Sequence, residues 1–172
     1  IIMKWILFLL CVMAGVDNYG QQGKPAQQEA PYKQRPTLPP LELVLPDSNR
    51  ITKIEFKKQP TLIMYFSPDC DHCIKQMEEM NTRIEDLKRI QIVMVTHQPM
   101  PELVQFIEKF KLASQSNITT GRDVKFMLPG FYRIKSLPYF ALYDKKGNLI
   151  TTFESNTKVD KILKAFRKNK PV

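Results

Sequence analysis

Apolar and polar positions follow two different periods along this chain. Thr61–Phe66 (Thr-Leu-Ile-Met-Tyr-Phe) is a nearly unbroken apolar run, the pattern of a strand buried on both faces, and Gln91–Thr96 is a second. Between them the period turns helical: from about Cys70 to Arg89, Ile74, Met77, Ile84 and Leu87 fall on one face, with Asp69 as the expected N-cap. Methionines on such a face read as core rather than cofactor contacts. A further helix is expected over Pro101–Lys111, with proline in its first turn and Leu103, Phe106, Ile107 and Phe110 on one stripe. Phe126–Tyr132 reads as a short helical turn. Tyr139–Tyr143 and Leu149–Phe153 read as strands joined by the hairpin loop Asp-Lys-Lys-Gly-Asn (144–148). A last helix is expected from about Thr157 to Asn169, with Val159, Ile162, Leu163 and Phe166 inward. Ahead of all this, Leu41–Leu45 and Ile51–Phe56 flank the turn signal Pro-Asp-Ser-Asn (46–49) and predict a small hairpin. The predicted order is β-β-β-α-β-α-β-β-α. The strand–helix–strand unit from Thr61 to Thr96 requires a parallel pair with a right-handed crossover, and the last two strands are antiparallel.

The N-terminus has another pattern. After Met3, which reads as the initiator, Lys4 precedes an apolar run of a dozen residues ending at Val16. That length suits a signal-peptide core and falls short of a membrane span, which takes about 20 residues. Residues 1–20 are therefore expected to be a signal peptide cleaved near Gly20, with an uncleaved anchor as the competing reading. Cys11 reads as part of the signal core, because Leu10 is not the small residue that lipoprotein processing requires. From residue 17 to 40 the chain holds five of its thirteen prolines and five glutamines without apolar periodicity. Residues 21–40 are thus expected to be a solvated Pro/Gln-rich linker, and 41–172 the globular domain.

Composition fits one domain: 172 residues, 43% hydrophobic and 25% charged. It excludes collagen, a disulfide-rich mini-protein and a polytopic membrane protein. The net charge is +9, and Lys4 and Asp17 cancel, so loss of residues 1–20 leaves it at +9. Much of it lies on the last helix, where cations suit the helix C-terminus. No aromatic interleaving or nucleic-acid motif accompanies it, so the reading is a solvated face and no nucleic-acid partner.

Of three cysteines, Cys11 lies in the signal, leaving Cys70-Asp-His-Cys73. A cysteine at a helix start meets unpaired N–H groups and the positive end of the helix dipole, which stabilise a thiolate, the attacking species in disulfide exchange. A second cysteine one turn on is placed to resolve a mixed disulfide. Two other readings compete. Structural zinc needs four ligands, and His72 is too close in sequence to the cysteines to complete such a site, while His97 in Thr-His-Gln-Pro reads as an exposed loop histidine. A purely structural disulfide closing so small a loop constrains little chain entropy.

Taken together, Phe66-Ser-Pro-Asp-Cys70-Asp-His-Cys73, Tyr132-Arg-Ile-Lys-Ser-Leu-Pro138-Tyr-Phe and Asp144-Lys-Lys-Gly147 resemble the thioredoxin superfamily, most closely its exported TlpA/ResA-like branch. The resemblance covers about residues 41 to 168. It implies an α/β thioredoxin-like fold, a central mixed sheet flanked by helices, with an N-terminal β-hairpin extension. It also implies that Pro138 is a cis proline beside the cysteine pair and that the Leu137 backbone pairs with substrate peptide. The departures are specific. The tryptophan that thioredoxins carry before the first cysteine is Asp69 here, and their buried acid falls on Met64. The glutamate of TlpA/ResA reductases is Gln76, and the helix-kinking proline is Glu78. His72 matches the histidine of disulfide-forming oxidases and isomerases; a cationic imidazole there favours the thiolate, whereas Asp69 and Asp71 oppose it. The expected poise is intermediate within the family range of about −270 to −120 mV.

The sequence thus predicts an exported thiol–disulfide oxidoreductase in the periplasm or cell envelope, monomeric and without organic cofactor or metal. Cys70 is the attacking cysteine, Cys73 resolves, His72 tunes, and Leu137 and Pro138 bind substrate. Partners are cysteine-containing exported proteins and a membrane or periplasmic redox donor or acceptor. The alternatives are a soft-metal (copper) carrier, disfavoured because no histidine follows His97, and a redox-inactive binding module, disfavoured by the intact cysteine pair. A peroxiredoxin reading fits Ser67 but not Ile63, where that family has proline.

Overall fold

The computed structural model describes residues 29–51 and 59–169. The expected export segment 1–20, residues 21–28 of the expected linker, and the second hairpin strand beyond Ile51 lie outside the described residues. Seven strands form one mixed sheet: β1 (Leu43–Val44), β2 (Arg50–Ile51), β3 (Thr61–Tyr65), β4 (Gln91–Thr96), β5 (Ile118–Arg122), β6 (Tyr139–Tyr143) and β7 (Leu149–Glu154), in the spatial order β2-β1-β5-β4-β3-β6-β7. β3, β4 and β5 are parallel; β6 and β7 run antiparallel to their neighbours, as does β1 to β5. The helices are α1 (Pro31–Gln34), α2 (Asp71–Thr82), α3 (Ile84–Leu87), α4 (Met100–Lys109), α5 (Met127–Tyr132) and α6 (Val159–Lys168).

The three apolar runs occupy the middle of the sheet. Every residue of β3, β4 and β6 is buried, because both faces are covered. On one face Leu62, Met64 and Phe66 of the β3 segment meet Cys73, Met77 and Met80 of α2, Leu103, Phe106 and Ile107 of α4, and Val159 and Ile162 of α6. On the other, Ile63 and Tyr65 meet Leu128 and Tyr132 of α5 and Leu41 and Leu43 of the N-terminal hairpin. On this side Tyr132 and Tyr143 join their buried hydroxyls, and burial pushes the Tyr143 phenol up to about 12.

Four expectations need correction. β5 was not anticipated: its Ile-Thr-Thr-Gly-Arg carries one large apolar residue, and it is a strand because β4 and β1 pair with it on either side. The expected helix from Cys70 to Arg89 breaks at Arg83, whose backbone (φ −117°, ψ 21°) leaves the helical region. Asp69 is not the cap of α2; Cys70 is, in an extended conformation. The expected solvated linker is packed from Ala30 onward. Ala30 is buried, Tyr32 lies 5.6 Å from Tyr132 ring to ring, the Leu149 N–H donates to Pro36 O at 2.7 Å, and Thr37 bridges Asn148. Four proline rings between residues 31 and 40 stiffen this stretch and lower what it costs to lay it across the domain.

Candidate functional site

The site begins where β3 runs out. Phe66 is still tied to β4, its N–H donating to Val95 O at 2.9 Å. The chain then turns through Ser67-Pro68-Asp69, and the Cys70 N–H donates to Ser67 O at 3.2 Å. The Asp69 carboxylate is occupied by the Ser67 hydroxyl, which explains why it does not cap the helix. Gln98, just past β4, donates from Nε2 to Ser67 Oγ at 2.9 Å and so fixes the turn from the side. Cys70 has φ −85° and ψ 117° and no side-chain cap bond, and its C=O accepts from Ile74 N–H at 3.0 Å. Its side chain therefore stands at the N-terminus of α2, where the first N–H groups have no partner within the helix.

Cys73 lies one turn further and is fully buried, while Cys70 is partly exposed; both are free thiols, so the structure is the dithiol form. Burial pushes the Cys73 thiol from 9.0 up to about 12; a hydrogen bond from the Ser67 backbone pulls the other way, and the neighbouring Cys70 thiol adds to the rise. Met64, at the position of the thioredoxin acid, is fully buried in the same apolar cluster. The pair thus divides into an accessible sulfur and one kept protonated in an apolar floor.

One stripe of α2 and the residue after it is joined in sequence order to the β7–α6 junction. The His72 ring Nδ1 pairs with Asn156 Oδ1 at 3.0 Å, and Asn156 Nδ2 donates to His72 O at 2.8 Å. Gln76, fully buried, donates from Nε2 to Thr157 O at 3.0 Å and accepts from Thr157 N–H at 2.7 Å. Glu79 accepts from Val159 N–H at 3.1 Å, and Arg83 reaches Asp160 at 3.0 Å. The spacing is helical, so one face of the cysteine-bearing helix is zipped to the start of α6. His72 is exposed, with its ring engaged by Asn156.

The Leu137–Pro138 bond is cis, as the resemblance implies. Pro138 is buried, and Leu137 packs against the same cluster as Cys70. Because β6 runs antiparallel to β3, its first residues sit at the edge of the sheet where β3 ends, which brings Cys70 and Pro138 to one side of the molecule. His97, expected as an exposed loop residue, is half-buried: its Nδ1 bonds Tyr65 OH at 2.9 Å, and its ring lies edge-on to Phe126 with centroids 4.9 Å apart. Among the described residues no group of three or more His, Cys, Asp or Glu side chains could hold a metal ion. The residues that sequence reasoning missed are Ser67, Gln98, Asn156 and Thr157. The bonds that fix them in the site, Gln98 to Ser67, Asn156 to His72 and Thr157 to Gln76, join segments 31 to 84 residues apart along the chain.

No curated protein sequence matches the chain. Solved structures do. A putative thioredoxin from Neisseria meningitidis is 19% identical with a TM-score of 0.62, covering 76% of this chain and 90% of that one. A putative thiol:disulfide interchange protein DsbE from Chlorobium tepidum is 19% identical with a TM-score of 0.60, covering 75% and 94%. The pneumococcal exposed lipoprotein thioredoxin Etrx1 from Streptococcus pneumoniae strain TIGR4 is 18% identical with a TM-score of 0.58, covering 74% and 98%. At these identities the likeness establishes the fold. The family model described as thioredoxin-like domain matches residues 48–170, which spans both cysteines, the cis proline and α6. With that match over most of its length and the fold to go with it, the chain belongs to the thioredoxin-like domain family.

Proposed function

We propose that this protein is an extracytoplasmic thiol–disulfide oxidoreductase working through Cys70 and Cys73. The observation that carries the reading is the division of the pair: Cys70 partly exposed at the start of α2, Cys73 buried one turn below it. In the reducing direction the Cys70 thiolate attacks a substrate disulfide. A Cys70–substrate disulfide forms and one substrate thiolate leaves. Cys73 gives up its proton and attacks Cys70 Sγ, so the Cys70–Cys73 disulfide forms and the second substrate thiolate departs; two electrons have passed to the substrate. The oxidising direction is the same sequence reversed. The two sulfur atoms carry the electrons, so no organic cofactor enters.

Leu137, packed against the same apolar cluster as Cys70, and the neighbouring Pro138 are assigned to substrate peptide. His72 is assigned to tuning, through its place at the helix start and its grip on Asn156. The signal-like residues 1–20, and structural neighbours whose names include an exposed lipoprotein, support an extracytoplasmic location. Cysteine-containing exported proteins and a redox partner at the membrane or in the periplasm fit that compartment.

The test is trapping with oxidised glutathione. Cys73→Ser accumulates a glutathione adduct on Cys70, visible by mass spectrometry and released by dithiothreitol, while Cys70→Ser forms none and exchanges no faster than a free thiol. Wild-type exchange rates in Cys70→Ser would overturn the assignment.

A further inference from the structure

One apolar surface feature lies outside the cysteine pair and its supporting contacts. Among the described residues the large hydrophobic side chains that stand exposed are Val124, 41% exposed, and Phe126, 55% exposed, two residues apart on the β5–α5 loop. Phe126 has φ 50° and ψ 40°, a left-handed conformation that a bulky side chain rarely adopts and that neighbouring contacts must hold.

Those contacts are present. The backbone of Asp123 is tied to the end of β4, its N–H donating to Thr96 O at 2.8 Å, and its buried carboxylate accepts from Leu128 N–H at 2.9 Å. The Phe126 N–H donates to Asp123 O at 3.2 Å, and Arg122 Nε donates to His97 O at 3.2 Å. The Phe126 ring rests against His97, whose ring is stacked on Tyr65 at 6.2 Å with planes 8° apart and hydrogen-bonded to it. Lys125, between the two apolar residues, is held by Glu42 at 2.5 Å. A strained aromatic is thus propped outward on a fixed base.

Its position connects it to the cysteines. β3, β4 and β5 are parallel neighbours, so the segments that follow them emerge at one edge of the sheet: Cys70 after β3, His97 after β4, Phe126 after β5. Leu137 and Pro138, entering antiparallel β6, complete the row on the other side. The Gln98–Ser67 bond couples the His97 segment to the turn that carries Cys70. Two strand spacings of about 4.8 Å separate β3 from β5, and Cys70 and Phe126 lie five and four residues beyond those strands, so a peptide joining them needs on the order of three to five extended residues.

We infer that Val124 and Phe126 form a substrate-recognition patch for polypeptides that carry an aromatic or large aliphatic residue about three to five positions from the reacting cysteine. The inference rests on the exchange reading above and deepens it. A peptide lying along this edge has its cysteine at Cys70 and its apolar side chain on Phe126, and small disulfides gain nothing from the patch because they do not reach it.

The experiment uses reduced protein and two probes, cysteine peptides presented as glutathione mixed disulfides, one with phenylalanine and one with alanine at the third to fifth residues from the cysteine. Wild type is expected to react at least about fivefold faster with the phenylalanine peptide, the scale of part-burying an aromatic ring. In Phe126→Asn, which suits the left-handed backbone, the ratio falls to near one, and in Phe126→Tyr it is retained. Equal wild-type rates for the two peptides, or a preference that survives Phe126→Asn, would overturn the patch while leaving the exchange reading intact. Failure of wild type to react with either peptide or with oxidised glutathione would overturn the exchange reading, and the patch with it.

Discussion

At the scale of single residues, two side chains near the cysteine pair set measurable properties. Gln76 stands where a related branch carries glutamate, and its amide is matched to the Thr157 backbone: one donor for the C=O, one acceptor for the N–H. A carboxylate reproduces only half of that. Gln76→Leu, close in volume, leaves both buried Thr157 groups without a partner and is expected to destabilise the reduced protein by about 2–4 kcal/mol in urea denaturation. A loss below about 1 kcal/mol would show that the reciprocal bond is dispensable. Cys73 supplies a pH signature. Its thiol is raised from 9.0 to about 12 in the fold, so the folded state keeps a proton that the unfolded chain has released above pH 9. Stability from this group is full below pH 9 and is lost as pH rises toward 12, with a limiting slope of about 1.4 kcal/mol per unit. Cys73→Ala lacks the effect. The stability gap between reduced wild type and Cys73→Ala is therefore expected to narrow from pH 9 upward; a constant gap would contradict the burial argument.

At the scale of elements, the sheet shows what the sequence makes legible and what it does not. β3, β4 and β6 are continuous apolar runs, readable because a strand covered on both faces has no polar side to show. β5 hides because Ile118-Thr-Thr-Gly-Arg122 has no period of its own; its strand state comes from neighbours far along the chain. The cysteine motif is local and legible. The grips around it, Gln98 on Ser67 and Asn156 on His72, are single polar contacts between distant segments, and nothing in the residues nearby announces them. Gly121 belongs to the hidden strand. A Cβ built there meets Leu43 Cβ at 3.0 Å and Leu43 Cδ1 and Leu45 Cδ2 at 3.3 Å. Alanine would ordinarily stabilise a strand by removing backbone freedom, by about 0.4–1 kcal/mol, but here the clash decides the sign. Gly121→Ala is expected to cost about 1–3 kcal/mol in chemical denaturation. A neutral or stabilising Gly121→Ala would mean that β1 is not packed against β5 in this way.

At the scale of the molecule, parallel β3, β4 and β5 and antiparallel β6 deliver Cys70, His97, Phe126 and Pro138 to a single edge, while α2 is fastened along its length to α6 and the 30–40 segment packs against the opposite face of the sheet. Such a frame holds one helix start fixed, which suits the proposed exchange at its two sulfurs. The central claim, that Cys70 and Cys73 form one reversible redox unit, is tested most directly by equilibrating the protein in glutathione buffers of graded ratio, alkylating the remaining thiols and counting them by mass. A single two-electron transition between zero and two free thiols is expected, with a midpoint inside the family range of about −270 to −120 mV. Thiols that titrate separately, or a pair that stays reduced across the whole series, would contradict it.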